Sequence, residues 1–145
     1  MNAAFDHLVI AAASLDEGVA WCERTLQRTP APGGSHPLFV THNRLLRVEG
    51  NEHAYRELIA INPAARPTRE APLKRWFDFD DPALRDRLLR HGPQVIHWVA
   101  RVDDIEAERR AWLALGIDPG PVLTASRDTP RGLLQWRITV RDDGA

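Results

Sequence analysis

Three side chains stand out for the chemistry they could carry. His7 lies in the apolar stretch 4–12, Ala-Phe-Asp-His-Leu-Val-Ile-Ala-Ala, and His97 lies in a second one, Gln94-Val95-Ile96-His97-Trp98-Val99-Ala100. An imidazole can bind a metal ion or exchange a proton near neutral pH. Glu57 sits in Tyr55-Arg56-Glu57-Leu58-Ile59-Ala60-Ile61, where most neighbours are apolar. A bare carboxylate there is costly unless it is paired or bound to a metal. The bland alternatives stand beside these readings: a strand histidine is usually a hydrogen-bonded core group, and Glu57 can form a buried ion pair with Arg44 or Arg47.

Other residues offer weaker signals. His36 and His42 flank one strand and could touch a substrate or act as acid–base groups, although ordinary loop histidines are the commoner case. Arg44 and Arg101 could clamp a carboxylate or phosphate, against a default of solvated arginines. Trp98 and Trp136 read as core or interface aromatics. Cys22 reads as an inert buried thiol. His53 and His91 read as carrying no function. No nucleotide-binding glycine loop, nucleophile elbow or HExxH motif occurs, so no nucleotide cofactor is expected.

The elements that must position these groups follow from periodicity. Residues 4–12 read as a strand covered on both sides. Ser14 with Glu17 three residues on is a capping pattern, and Leu15, Val19, Cys22 and Leu26 then fall on one helical face. Pro30 puts the helix end near Arg28. Pro32-Gly33-Gly34 reads as a loop. Residues 37–48 and 54–61 read as strands joined by a turn at Glu49-Gly50-Asn51. Residues 62–80 read as a connector anchored by Trp76, Phe77 and Phe79. Asp81-Pro82 starts a short helix with a stripe of Leu84, Leu88 and Leu89, stopped by Gly92. A strand over 94–100 follows. Asp103, Asp104 and Glu106 start a helix carrying Ile105, Arg109, Trp112 and Leu113, ended by Gly116. Residues 121–125 and 132–140 read as two further strands.

The opening pattern therefore occurs twice. His97 stands 90 residues after His7, Val99 after Val9, Asp104 after Ser14 and Ile105 after Leu15. This predicts an α+β fold of two βαβββ-type modules forming a curved mixed sheet around a cleft. Module one spans 1–62, a connector with a short helix spans 63–92, and module two spans 93–145, all in a single domain. Module two offers two strands after its helix where the pattern asks for three. The last strand is then missing from this chain or supplied by a partner.

Phe-Asp-His-Leu-Val-Ile-Ala-Ala followed by Leu-Asp-Glu-Gly-Val-Ala-Trp is similar to the start of glyoxalase I, extradiol dioxygenases, bleomycin-resistance proteins and methylmalonyl-CoA epimerases. The stretches Pro32–Pro37, Thr41–Leu46, Tyr55–Ile61 and His97–Ile105 resemble the glyoxalase-like subfamily of this vicinal oxygen chelate superfamily. The resemblance implies a divalent metal (Fe, Mn, Ni or Zn) held by His7, Glu57 and His97, with Gln135 a weaker fourth candidate. It implies lyase, isomerase or dioxygenase chemistry on a small molecule, with Glu57 moving a proton and His42, Arg44 and Arg101 contacting substrate. The alternative it carries is a non-catalytic protein of the bleomycin-resistance type that sequesters a ligand. A homodimer is expected in either case.

Composition sets limits on all of this. The chain has 145 residues, 43% apolar and 27% charged, with a net charge of −1. That balance gives no bulk attraction to nucleic acid or anionic lipid. One cysteine permits no intrachain disulfide and suits the cytoplasm. No apolar run nears the ~20 residues that span a bilayer.

Overall fold

The computed structural model describes residues 3–66 and 73–144. Part of the expected connector, 67–72, lies outside the described residues. β1 (Ala3–Ala11) leads into α1 (Leu15–Leu26), followed by β2 (Ala31–His36), β3 (Thr41–Val48) and β4 (Asn51–Ile61). After α2 (Pro82–His91), the order begins again with β5 (Gln94–Val102), α3 (Ile105–Ala114), β6 (Val122–Thr129) and β7 (Gly132–Thr139). The fold is α+β, as expected. A mixed five-stranded sheet has the order β2-β3-β4-β1-β5, and β6 and β7 form a separate antiparallel ribbon.

Local chemistry accounts for the boundaries. The Ser14 hydroxyl accepts from the Glu17 amide at 3.2 Å and caps α1. The helix stops at Leu26 because Gln27 turns left-handed, at φ 52°, slightly before the expected Arg28. Asp81 caps α2 with Pro82 in its first turn, and Gly92 closes it at φ 76°. Asp104 caps α3 through the Glu106 and Ala107 amides. The β3–β4 hairpin turns at Gly50, φ 77°.

Several expectations need correction. Pro32, Gly33 and Gly34 belong to strand β2 and are no loop; the irregular register between Pro32 and Ser35 accommodates them. Residues 37–40 form a turn before β3 instead of extending it. Leu89 is 74% exposed and leaves the α2 stripe to Leu84 and Leu88. Of the two readings of Trp98, core or interface, its 63% exposure on β5 removes the core one.

Strand alternation sends side chains to two faces. On one face Leu15 and Cys22 of α1 cover Ile10, Ala12, Leu46, Leu58 and Ala60. Gly18 lets the helix approach closely, since a Cβ there would come within 2.6 Å of Leu58 Cδ1. The other face carries His7, Val9, Tyr55, Glu57, Ile59, Thr41 and Asn43, as the registers of β1, β3 and β4 require. There Val9, Phe39, Ile59, Trp76, Phe79, Leu84, Leu88 and Val140 form the main core, joined by Leu123 and Ile138 of the ribbon. The anchoring role expected of Trp76 and Phe79 is met, since both are buried. Among the described residues no helix is long and apolar enough to cross a membrane.

Candidate functional site

The polar centre of the second face is Glu57, 4% exposed. β4 lies between β3 and β1, so its carboxylate meets groups from three strands. Asn43 Nδ2 donates to Oε1 at 2.5 Å. His7 Nε2 lies 3.5 Å from Oε2, and His36 Nε2 lies 3.9 Å from Oε1. Each partner is oriented from behind. His7 Nδ1 meets Asp6 Oδ1 at 2.7 Å, and Arg101 reaches Asp6 Oδ2 at 3.5 Å. The Gly34 amide donates to Asn43 Oδ1 at 2.8 Å. Trp76 Nε1 donates to Thr41 Oγ1 at 3.2 Å, and that oxygen lies 3.0 Å from His36 Nδ1. The Thr41 oxygen has two lone pairs and can accept from both Trp76 and Nδ1. Asn43 Nδ2 also lies 3.3 Å from His36 Nε2, so Nε2 accepts from Asn43 and Nδ1 carries the ring proton toward Thr41 Oγ1.

This geometry sets the charges. Burial pushes the Glu57 carboxyl up, but His7, His36 and Asn43 outweigh it and hold it below its ordinary range. Burial pushes His7 down, and contacts with Glu57 and Asp6 reverse that and raise it. Burial lowers His36 more than Glu57 restores it. These shifts favour the charged forms of His7 and Glu57 and the neutral form of His36. The Tyr55 ring stacks on His7 at 4.4 Å, and its hydroxyl is pushed up by burial, then by Glu57 and Asp6. Trp136 of β7 reaches the His36 ring edge-on at 6.1 Å.

The other anticipated residues are placed elsewhere. His97 shares this face, because it pairs with Val9 while His7 pairs with Val99. Its ring is taken by Asp78, 3.2 Å from Nε2, and packs on Phe77. His42 and Arg44 project to the α1 face, opposite Glu57, because β3 alternates and Asn43 points inward. His42 lines a separate cavity of about 380 Å³ with Ala12, Ser14, Asp16, Arg85 and Leu88. That cavity holds none of the Glu57 network, so its size does not make it the reactive site. Arg101 steadies Asp6. Gln135 is exposed beside the inward-facing Trp136. The arginines once expected to pair with Glu57 are replaced by His7 and His36.

The expected donor set His7, Glu57 and His97 is therefore not assembled. Among the described residues no group of three or more His, Cys, Asp or Glu is disposed to hold a metal ion. The polar atoms of the network are also already satisfied, since among the described residues the one buried side-chain atom lacking a partner is Arg75 Nε, outside it. The residues as arranged do not fit a metal.

Sequence periodicity missed Asn43, Thr41, Asp6 and Trp76 as members of the site. Strand parity across the Gly50 hairpin is the signal that could have found Asn43, because it puts residues 43 and 57 on one face.

The glyoxalase-like domain family matches residues 5–145. The chain belongs to the glyoxalase-like domain family. Methylmalonyl-CoA epimerase from Mycobacterium tuberculosis shares its fold, with TM-score 0.53 and 20% identity over 92% of this chain and 77% of that one. A Streptomyces coelicolor methylmalonyl-CoA epimerase variant in complex with 2-nitronate-propionyl-CoA gives TM-score 0.54 and 18% identity over 92% and 83%. A hypothetical protein from Bacillus halodurans gives 0.55 and 15% over 94% of each chain. No curated protein matches the sequence. The glyoxalase-like family expected from the sequence is thus shown, and these solved structures share its fold.

Proposed function

We propose that this glyoxalase-like protein binds a small molecule between the Glu57 face of the sheet and the β6–β7 ribbon, and moves a proton there through Glu57. The observation that carries the reading is a buried carboxylate kept ionised by His7 of β1 and Asn43 of β3, with His36 of β2 close by. Burying a charge in this way is weak support for stability, so it points to use. The ionised carboxylate takes a proton from a carbon next to a carbonyl and returns it to the same or a neighbouring carbon. His7 and Asn43 orient the oxygens, and the protonated His7 stabilises negative charge that develops on the substrate oxygen. Isomerase or lyase chemistry follows from where the proton is returned. A homodimer belongs to this reading, with the exposed Val95 and Trp98 of β5 offering an apolar edge.

A competing reading is a divalent-metal centre on His7, Glu57 and His97. It is favoured by the register that puts both histidines on one face, and it requires His97 to leave Asp78.

The test is deuterium exchange, followed by NMR, of small ketones, 2-hydroxy ketones and 2-substituted acids incubated with the protein in heavy water, alongside metal analysis of protein purified without chelator. The proton-transfer reading expects catalysed exchange that falls about 100-fold or more in Glu57→Gln and persists in His97→Ala. One equivalent of retained metal, lost in His97→Ala together with exchange, overturns it in favour of the metal centre. Ligand binding with no exchange on any compound overturns it in favour of sequestration.

A further inference from the structure

Gly33 and Gly34 lie inside strand β2, yet neither has a positive φ. Backbone freedom therefore does not explain them. Close approach does. A Cβ on Gly33 would stand 2.1 Å from Asn43 Oδ1, and a Cβ on Gly34 would stand 2.1 Å from Arg127 Nη1 and 3.0 Å from its Cζ. The two glycines form a floor. Both stand opposite Asn43 at the irregular register of β2; Gly33 lies against Asn43, which orients Glu57, and Gly34 lies under the guanidinium of Arg127, reaching over from β6.

The Arg127 charge acts on the site. It adds to the lowering of His36 and opposes the rise of Tyr55. Yet no carboxylate among the described residues pairs with it. Glu57 is held by Asn43, His7 and His36, and Asp6 by His7 and Arg101. Arg137, also on the ribbon, is paired with Glu106. A half-buried guanidinium without an anion, resting on a side-chain-free floor beside an ionised acid, is equipped to take one from a ligand.

We propose that Arg127 is the anion anchor of the Glu57 site, and that its ligands are small organic acids whose carboxylate sits on the guanidinium while an adjacent carbon faces Glu57. The proposal rests on the proton-transfer reading for the second half of that sentence only. The anchor can be tested without turnover.

Lactate and malonate, each set against its uncharged amide, are titrated into the full chain and followed by tryptophan fluorescence and NMR. The acids should bind and the amides should bind at least about tenfold more weakly. Arg127→Met, which keeps the stem and removes the charge, should lose acid binding by a similar factor. Arg127→Lys should keep part of it. Gly34→Ala should lose it by displacing the guanidinium. Glu57→Gln should keep acid binding while losing exchange. Equal binding of acids and amides overturns the anchor, as does acid binding unchanged in a folded Arg127→Met. Should Arg127→Met not fold, Arg127→Lys decides, since binding that ignores salt in both Lys variant and wild type also overturns it. Arg127-dependent binding with no exchange leaves the anchor standing and removes the proton-transfer reading.

Discussion

Glu57 shows how a charge can be kept in a protein interior. Its stabilisation depends on three neighbours whose own titrations pull in different directions. His7 is raised above 6.5, so its contribution to stability is full below pH 6.5 and fades as pH rises through the folded value. Glu57 is depressed below 4.5, so its contribution is present above pH 4.5 and fades on acidification through the folded value. The pair is therefore at full strength between about pH 4.5 and 6.5. His36 opposes this trend. It stays neutral when folded but charges when unfolded, and so subtracts stability as pH falls below 6.5. Thermal melts across this range should show His36→Gln losing less stability than wild type on going from pH 7 to pH 5. An identical slope for the two proteins would remove His36 as an acid-sensitive member of the network. At this scale the sequence was partly legible. Glu57 and His7 stood out because charge in an apolar run is costly. Asn43 and Thr41 did not, because nothing in an isolated polar residue says which way its strand turns. Arg127 was equally silent, since its meaning depends on two glycines far away in sequence.

The elements follow closely from caps and periodicity. Ser14, Asp81 and Asp104 each accept from an amide in the first turn of the helix that follows. Ser14→Ala should cost about 1 kcal/mol, measured by denaturant unfolding, because an exposed amide loses its acceptor. A change under about 0.3 kcal/mol would mean that the packing of α1 on Leu58 alone defines its start. Legibility failed at Pro32-Gly33-Gly34. The usual reading of proline and glycine as turn residues gave way to tertiary need: β2 requires residues without side chains where Asn43 and Arg127 approach. It failed again at His42 and Arg44, because their register in β3 sends them to the α1 face.

At the scale of the molecule the two modules are unequal. α1 rests on β3 and β4 and buries Leu15, Gly18 and Cys22, whereas α3 has no buried residue. The ribbon packs on the sheet through β2 and the core, with no ladder to β5. Amides of α3 should therefore exchange with solvent faster than those of α1, under conditions where the chain stays folded. Equal protection, read by hydrogen-exchange mass spectrometry, would show that α3 draws support from an assembly. The duplicated order of elements was legible at the outset, in the 90-residue spacing of two histidine strands. The inequality was visible only as a shortage of strand-forming sequence after α3.

The placement of β1 also has a consequence in time. Its ladder partners are β4 and β5, residues 51–61 and 94–102. β1 is made before either partner and therefore waits, unpaired, for segments made much later. The β3–β4 hairpin, closed by its own short turn, can form without it. Glu57 should thus be held by Asn43 before His7 arrives, and the ion pair should be completed among the last events of folding.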